Sequence, residues 1–262
     1  MMRFGISNLV FGQLAEATRD AILGVSAICD FAPTVHYGSW ENTPDLLPAS
    51  PYPSHATKIC ALQSLFFGVQ GASLLKDEVS FAKLVRHHER LVDLASRADV
   101  PLLIYGSPGT RTGRIEGLTE ADIHARIIQL ADIAASEGIK LCFEVNSPKF
   151  GCEYLTTNAA LLELLAVLAH PGLGLHLDVG QILEEGIDVV PFVKANLNAL
   201  IHLHLSASDF TCKPERTPLY TEVLTVLRDA DVDVVLEIQK LGEASEAQLI
   251  DIFQQLAAAS AS

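Results

Sequence analysis

Leu173-Gly-Leu-His-Leu-Asp178 alternates apolar residues with small or polar ones and ends on a carboxylate. Three other runs repeat the design: Ile139-Lys-Leu-Cys-Phe-Glu144, Leu200-Ile-His-Leu-His204 and Val232-Asp-Val-Val-Leu-Glu237. Their last polar residues lie 34, 26 and 33 positions apart (178−144, 204−178, 237−204), each gap room for a strand and a helix. Side chains two apart in a strand share a face. Cys142, Glu144 and Asn146 therefore oppose Leu141, Phe143 and Val145, and Gly174, His176 and Asp178 oppose Leu173, Leu175 and Leu177. In the same way His202, His204 and Ser206 oppose Ile201, Leu203 and Leu205, while Val235, Glu237 and Gln239 oppose Val234, Leu236 and Ile238. The apolar sets suit a surface covered by helices, and the polar sets suit the inside of a barrel.

The rest of the chain keeps the same rhythm. Strands are expected at Phe4–Ser7, Val25–Phe31, Ile59–Leu65 and Pro101–Tyr105, and helices near Leu14–Leu23 and Asp77–Arg97. Between the second and third strands, Pro44, Pro48, Pro51 and Pro53 predict an extended loop with little helix. Thr119 with Asp122, and Ser245 with Gln248, have capping-box spacing at helix starts. Ile123, Ile127, Leu130 and Ala134 form an amphipathic stripe that Gly138 ends. Further helices are expected at 157–168, 189–195, 219–229 and 245–258. Strand and helix alternating eight times predict a parallel sheet. The chain has 262 residues, close to the roughly 250 of a (β/α)8 barrel. The expected fold is α/β: one TIM-barrel domain spanning 1–262, with a reduced second helix.

Composition narrows the function. Hydrophobic residues make up 49% and charged residues 19%, which fits a buried parallel sheet. A formal charge of −14 repels phosphate backbones and anionic lipid, so neither nucleic acid nor a membrane is an expected partner. The five cysteines are odd in number and include no C-x-x-C pair, which suits a reducing, cytoplasmic setting. Neither a signal peptide nor a transmembrane helix is expected.

Barrel active sites lie at the carboxyl ends of the strands. There Glu144, Asp178, His204 and Glu237 would converge on one centre. Three carboxylates crowded together without a cation would cost several kcal/mol in repulsion and desolvation. One divalent metal ion removes that cost, and the mixed oxygen and nitrogen donors suit Mn, Mg, Co or Zn alike.

The motifs Cys29-Asp-Phe-Ala-Pro-Thr34, Leu62-Gln-Ser-Leu-Phe-Phe-Gly68, Tyr105-Gly-Ser-Pro108, Phe143-Glu-Val-Asn146, Leu177-Asp-Val-Gly180, His202-Leu-His-Leu-Ser206 and Leu236-Glu-Ile238 run through almost the whole chain. In order and spacing the chain resembles the sugar phosphate isomerase/epimerase family of xylose-isomerase-like TIM barrels. The resemblance implies that Glu144, Asp178, His204 and Glu237 bind the metal. It also implies that Glu144 and Glu237 act as catalytic acid and base on opposite faces of a sugar, through a metal-stabilised ene-diolate. The chain departs from the family at Gln181, where many members carry His, and at Phe210, where the epimerase branch carries Arg. Asp30 stands where relatives carry a second-strand Glu. The extra His and Asp ligands of the three-metal DNA-repair endonucleases of this fold are not found as a full set.

Other residues are candidates for substrate binding. Asn146 and His176 could meet substrate hydroxyls, orient a ligand or serve as polar core contacts. Gln63, Gln181, Ser107 and Arg111 are assigned to substrate, the last two from the Gly106–Gly109 loop that follows the fourth strand. His202 lies deeper than His204 and is expected to orient ligands by hydrogen bonding. Trp40 and Tyr37 either stack on a sugar, form a lid or simply pack. Phe66-Phe67 is read as packing, and His87-His88 as the solvated face of a charged helix. The function expected is a metal-dependent isomerase or epimerase of a small carbohydrate. A dehydratase or lyase of a keto-polyol, or a sugar-binding barrel without turnover, is the alternative; homo-oligomerisation is left open.

Overall fold

Eight short strands pair in parallel, each with the next and the last with the first, to close a barrel. They are β1 (Arg3–Ser7), β2 (Ile28–Phe31), β3 (Lys58–Leu62), β4 (Leu102–Tyr105), β5 (Lys140–Phe143), β6 (Leu173–Asp178), β7 (Leu200–Leu205) and β8 (Asp233–Leu236). The computed structural model describes residues 1–48, 52 and 54–261; Pro51 and Pro53 of the expected loop lie outside them. The helices are α1 (Glu16–Leu23), α2 (Pro33–Tyr37), α3 (Glu78–Arg97), α4 (Glu120–Ser136), α5 (Asn158–Leu168), α6 (Val179–Glu184), α7 (Val189–Asn196), α8 (Thr217–Leu227) and α9 (Glu246–Ala261). The second helix is indeed reduced, to one turn opened by Pro33. The short α6 was not anticipated. It starts directly on Asp178, whose side chain caps it by accepting from the Gln181 amide.

Strand alternation divides the core in two. Leu141, Phe143, Leu175, Leu177, Leu203, Leu205, Val234 and Leu236 join the large apolar layer between barrel and helices. Inside the barrel, Ala61, Leu102, Ile104 and Cys142 form one small cluster, and Ile28, Cys60 and Val235 another. Ile201 departs from the expected parity: it packs on the interior cluster, because the β6–β7 register shifts at Leu175/His176. Gly174 makes room for it, since a Cβ there would sit 2.3 Å from Ile201 Cδ1. Both capping boxes form, at Thr119–Asp122 and Ser245–Gln248. All five cysteines are buried and free. Among the described residues no helix is long and apolar enough to cross a membrane.

His88 overturns the expectation of a solvated face. It is fully buried, and its Nε2–H donates to the Leu130 carbonyl at 2.9 Å. His87 is half-buried and bonds the Leu65 carbonyl. Burial lowers the His88 pKa from 6.5 to about 4, against the opposing pull of the Leu130 carbonyl. The folded state therefore refuses a proton that the unfolded chain accepts below 6.5. Stability is complete above that pH and falls as pH drops toward 4, by about 3 kcal/mol from this one group. Unfolding free energies from urea titrations at pH 7 and pH 4.5 should differ by about 2 kcal/mol less in His88→Gln than in the wild type; an equal pH dependence in both proteins would refute the assignment.

Candidate metal centre and active site

Four of the strand-end side chains meet. Ligand atoms of Glu144, Asp178, His204 and Glu237 all lie within 4.8 Å of one another. His204 Nδ1 is the hub, 3.2 Å from Glu144 Oε1, 3.3 Å from Glu237 Oε2 and 3.9 Å from Asp178 Oδ2. Glu144 and Glu237 stand one residue past the ends of β5 and β8, and Asp178 and His204 end or nearly end their own strands. Gly106 clears the space for Glu144, because a Cβ at that position would overlap the Glu144 carboxylate.

Electrostatics shows what the cluster lacks. Burial raises the Asp178 carboxyl, and Glu237 and Glu144 add to the effect, pushing it up to about 7. Glu237 is raised as well, by burial and by Glu144, although His204 opposes. Burial disfavours a charged His204, yet Glu237, Asp30 and Glu144 hold its pKa well above the usual value. Glu144 stays below the usual carboxylate range because His176 and His204 outweigh its burial. One imidazolium does not balance three carboxylates. Glu237 Oε2 is buried with no hydrogen-bond partner, a free acceptor aimed at the hub. Donor chemistry, charge deficit and orphaned oxygen all fit a divalent cation.

A shell of hydrogen bonds fixes these groups. Asp178 Oδ1 accepts from the Gln181 amide at 2.7 Å, and its Oδ2 from Ser206 Oγ at 2.6 Å. Asp30, read in the sequence only as a substitution for Glu, proves central. Its fully buried carboxylate accepts from His204 Nε2 at 2.7 Å, His202 Nε2 at 3.1 Å and Cys60 Sγ at 3.0 Å. Burial would raise its pKa, but His202 and His204 more than offset that and hold it ionised. An ionised Asp30 has no proton to give, so His204 must carry hydrogen on Nε2, and Nδ1 is the atom turned to the cluster. His202 lies wholly within this lower layer, with its Nδ1 3.0 Å from His176 Nδ1.

Above the cluster opens a cavity of about 820 Å³, bordered by Glu144 and Glu237 but not by Asp178 or His204. Three of the residues assigned to substrate line it: Gln63, Ser107 and Asn146. Three do not. Arg111 is fully buried and spends its guanidinium on the carbonyls of Tyr154, Gly106 and Glu144 and on Asn146 Oδ1. It is a clamp under the Glu144 backbone. His176 is sealed beneath the cluster, with Nε2 3.8 Å from Glu144 Oε1. Gln181 turns its amide toward Glu185 and borders only a gap of about 10 Å³. Trp40 is packed, donating to the Phe67 carbonyl at 2.8 Å, and Tyr37 lies edge-on to Phe31. Phe66 is buried as expected; Phe67 is not, and with Phe210 it lines the cavity.

Comparison with known proteins places this architecture. Among curated proteins none matches the chain significantly. The chain is similar in structure to 3-keto-D-glucoside 4-epimerase YcjR from E. coli, at 14% identity and TM-score 0.73 over 100% of both chains. It is similar to the probable 3-DHS dehydratase AsbF from Bacillus anthracis, at 17% identity and TM-score 0.68 over 100% of this chain and 99% of that one. It is also similar to D-psicose 3-epimerase, at 16% identity and TM-score 0.67 over 99% and 97%. At such identities the likeness is one of fold. The sequence profile of the xylose isomerase-like TIM barrel family matches residues 54–238, and the chain belongs to that family.

Proposed function

We propose that the protein is a divalent-metal-dependent isomerase or epimerase of a small sugar or sugar derivative. One observation carries the reading. Of the four clustered residues, only Glu144 and Glu237 border the large cavity, so the two that a substrate would meet are both carboxylates able to move protons. The epimerases of the same fold act on keto-sugars, which supports carbohydrate chemistry here.

Glu144, Asp178, His204 through Nδ1, and Glu237 would hold the cation. When bound, it would polarise a substrate carbonyl and stabilise the negative charge of an ene-diolate. The chain's own work is proton transfer and positioning. One of the two Glu carboxylates removes the proton beside the carbonyl, and the other returns one. Gln63, Ser107 and Asn146 offer hydrogen bonds to hydroxyls from the cavity wall. Asn146 is itself steadied by Arg111.

Elemental analysis of the purified protein tests the metal. About one equivalent of divalent ion is expected; less than roughly a tenth, even after Mn²⁺ is added, defeats the reading. Product analysis with a panel of keto-sugars then tests the reaction. An unchanged product mass is expected, and loss of water would make the protein a dehydratase instead.

A further inference from the structure

The cavity is too large and too aromatic for a free monosaccharide. A hexose takes the room of about six waters, at about 30 Å³ each, against a cavity of about 820 Å³. Phe66, Phe67, Phe150 and Phe210 all line it, alongside charged residues that include Lys76 and Asp209.

Two of those rings are unusual. Among the described Phe, Tyr and Trp side chains, only Phe67 and Phe150 are exposed, at 71% and 41%, and both border this cavity. Exposed aromatic surface gathered at one concave place marks a binding site. Phe150 is also held. Phe150 lies 5.5 Å from the Phe210 ring, and Lys149 Nζ, tied to Glu184 and to the Ser208 carbonyl, sits 4.9 Å from its centroid.

The backbone tells the same story. Phe210 has φ +56° and Ser64 φ +55°, left-handed conformations that cost a non-glycine residue, and both residues line the cavity. Phe210 is kept there by its amide, which donates to the Ala207 carbonyl at 2.8 Å, and by its carbonyl, which accepts from the Gln239 and Lys240 amides. Strain retained at a bulky ring beside a cavity is a functional signature.

We propose that the substrate is a keto-sugar carrying a flat, apolar substituent, a glycoside with a ketone on its ring and an aromatic aglycone. The sugar is held at Glu144 and Glu237, and the substituent lies against Phe67, Phe150 and Phe210. The proposal rests on the reading that a sugar reacts at the carboxylate cluster. A second sugar unit offers these rings less apolar surface than a phenyl group does.

The test is a binding measurement, so it does not depend on turnover. Full-length protein with added Mn²⁺ is titrated calorimetrically with methyl β-D-glucoside, phenyl β-D-glucoside and cellobiose. The phenyl glycoside is expected to bind at least about tenfold more tightly than the methyl glycoside, the scale of one or two aromatic contacts. Cellobiose should gain no such advantage. In Phe67→Ala/Phe150→Ala the phenyl-to-methyl ratio should fall to about one; both side chains are exposed, and unchanged Mn²⁺ affinity will certify the fold. Equal affinities in the wild type, cellobiose matching phenyl glucoside, a ratio that survives in the double variant, or no binding of any probe at millimolar concentration would each overturn the proposal. A tenfold ratio without proton exchange into any keto-sugar of the panel leaves the substituent site standing and removes the isomerase reading. Exchange without the ratio does the reverse.

Discussion

Glu237→Gln should abolish exchange of solvent deuterium into the substrate position beside the carbonyl while leaving the barrel folded. Loss of a positioned acid or base costs about a hundredfold to ten-thousandfold in rate, so exchange should fall to background. The substitution keeps side-chain shape. It also removes one of three crowded carboxylates; Glu237 Oε2 has only its 3.3 Å ion-pair contact with His204 to lose, and burial with Glu144 disfavours the Glu237 charge despite that contact. The metal-free variant should therefore melt no lower than the wild type. Glu144→Gln is a different case, because Glu144 Oε1 accepts from His204 Nδ1 at 3.2 Å and Oε2 lies 3.5 Å from Asn146 Nδ2. That variant should lose exchange and some stability together. Deuterium incorporation, followed by NMR in D2O with whichever ketose of the panel the wild type exchanges, reads the effect. Wild-type exchange in Glu237→Gln would show that Glu237 moves no proton.

Much of this site could be read from strand alternation, because in a barrel that alternation decides what faces the axis. Glu144, Asp178, His204 and Glu237 needed only period two and the rule that sites sit at carboxyl ends. Asp30 obeyed the same period, with Ile28 inward beside it, but its partners lie 172 and 174 residues away across the barrel. Local spacing does not reveal such a contact. Arg111 failed for a related reason. A guanidinium in a loop looks like a ligand for substrate, and only the folded positions of Gly106, Glu144 and Tyr154 show it turned inward. His88 carried a signal that charge obscured: it falls on the helical stripe of Phe81, Leu84, Leu91 and Ala95, all buried. The α6 helix is only six residues long and has no stripe to detect. Phe67 and Phe210 could not be weighed in advance, since an exposed ring at a cavity and a packed one read alike.

Asp30→Asn should weaken Mn²⁺ binding by about tenfold to a hundredfold, the usual effect of disturbing a group that orients a metal ligand. Asp30 does not line the cavity; it accepts hydrogen bonds from the Nε2–H groups of His202 and His204. An asparagine has one oxygen for two imidazole donors and the Cys60 thiol, and its own N–H groups face whichever donor is left. His204 can answer by changing tautomer, which puts hydrogen on Nδ1, the atom that must be bare to bind a cation. Asp30→Ala should be worse for the fold. It leaves the Nε2–H groups of two imidazoles unpartnered in the barrel core, and breaking such a buried ionic contact costs about 3–5 kcal/mol. Calorimetric Mn²⁺ titration and urea unfolding of the metal-free proteins separate the two effects. Asp30→Asn should shift chiefly the metal affinity, and Asp30→Ala both quantities. If Asp30→Asn binds Mn²⁺ as tightly as the wild type, the tautomer of His204 is set elsewhere, and Asp30 is only a buried charge balanced by its neighbours.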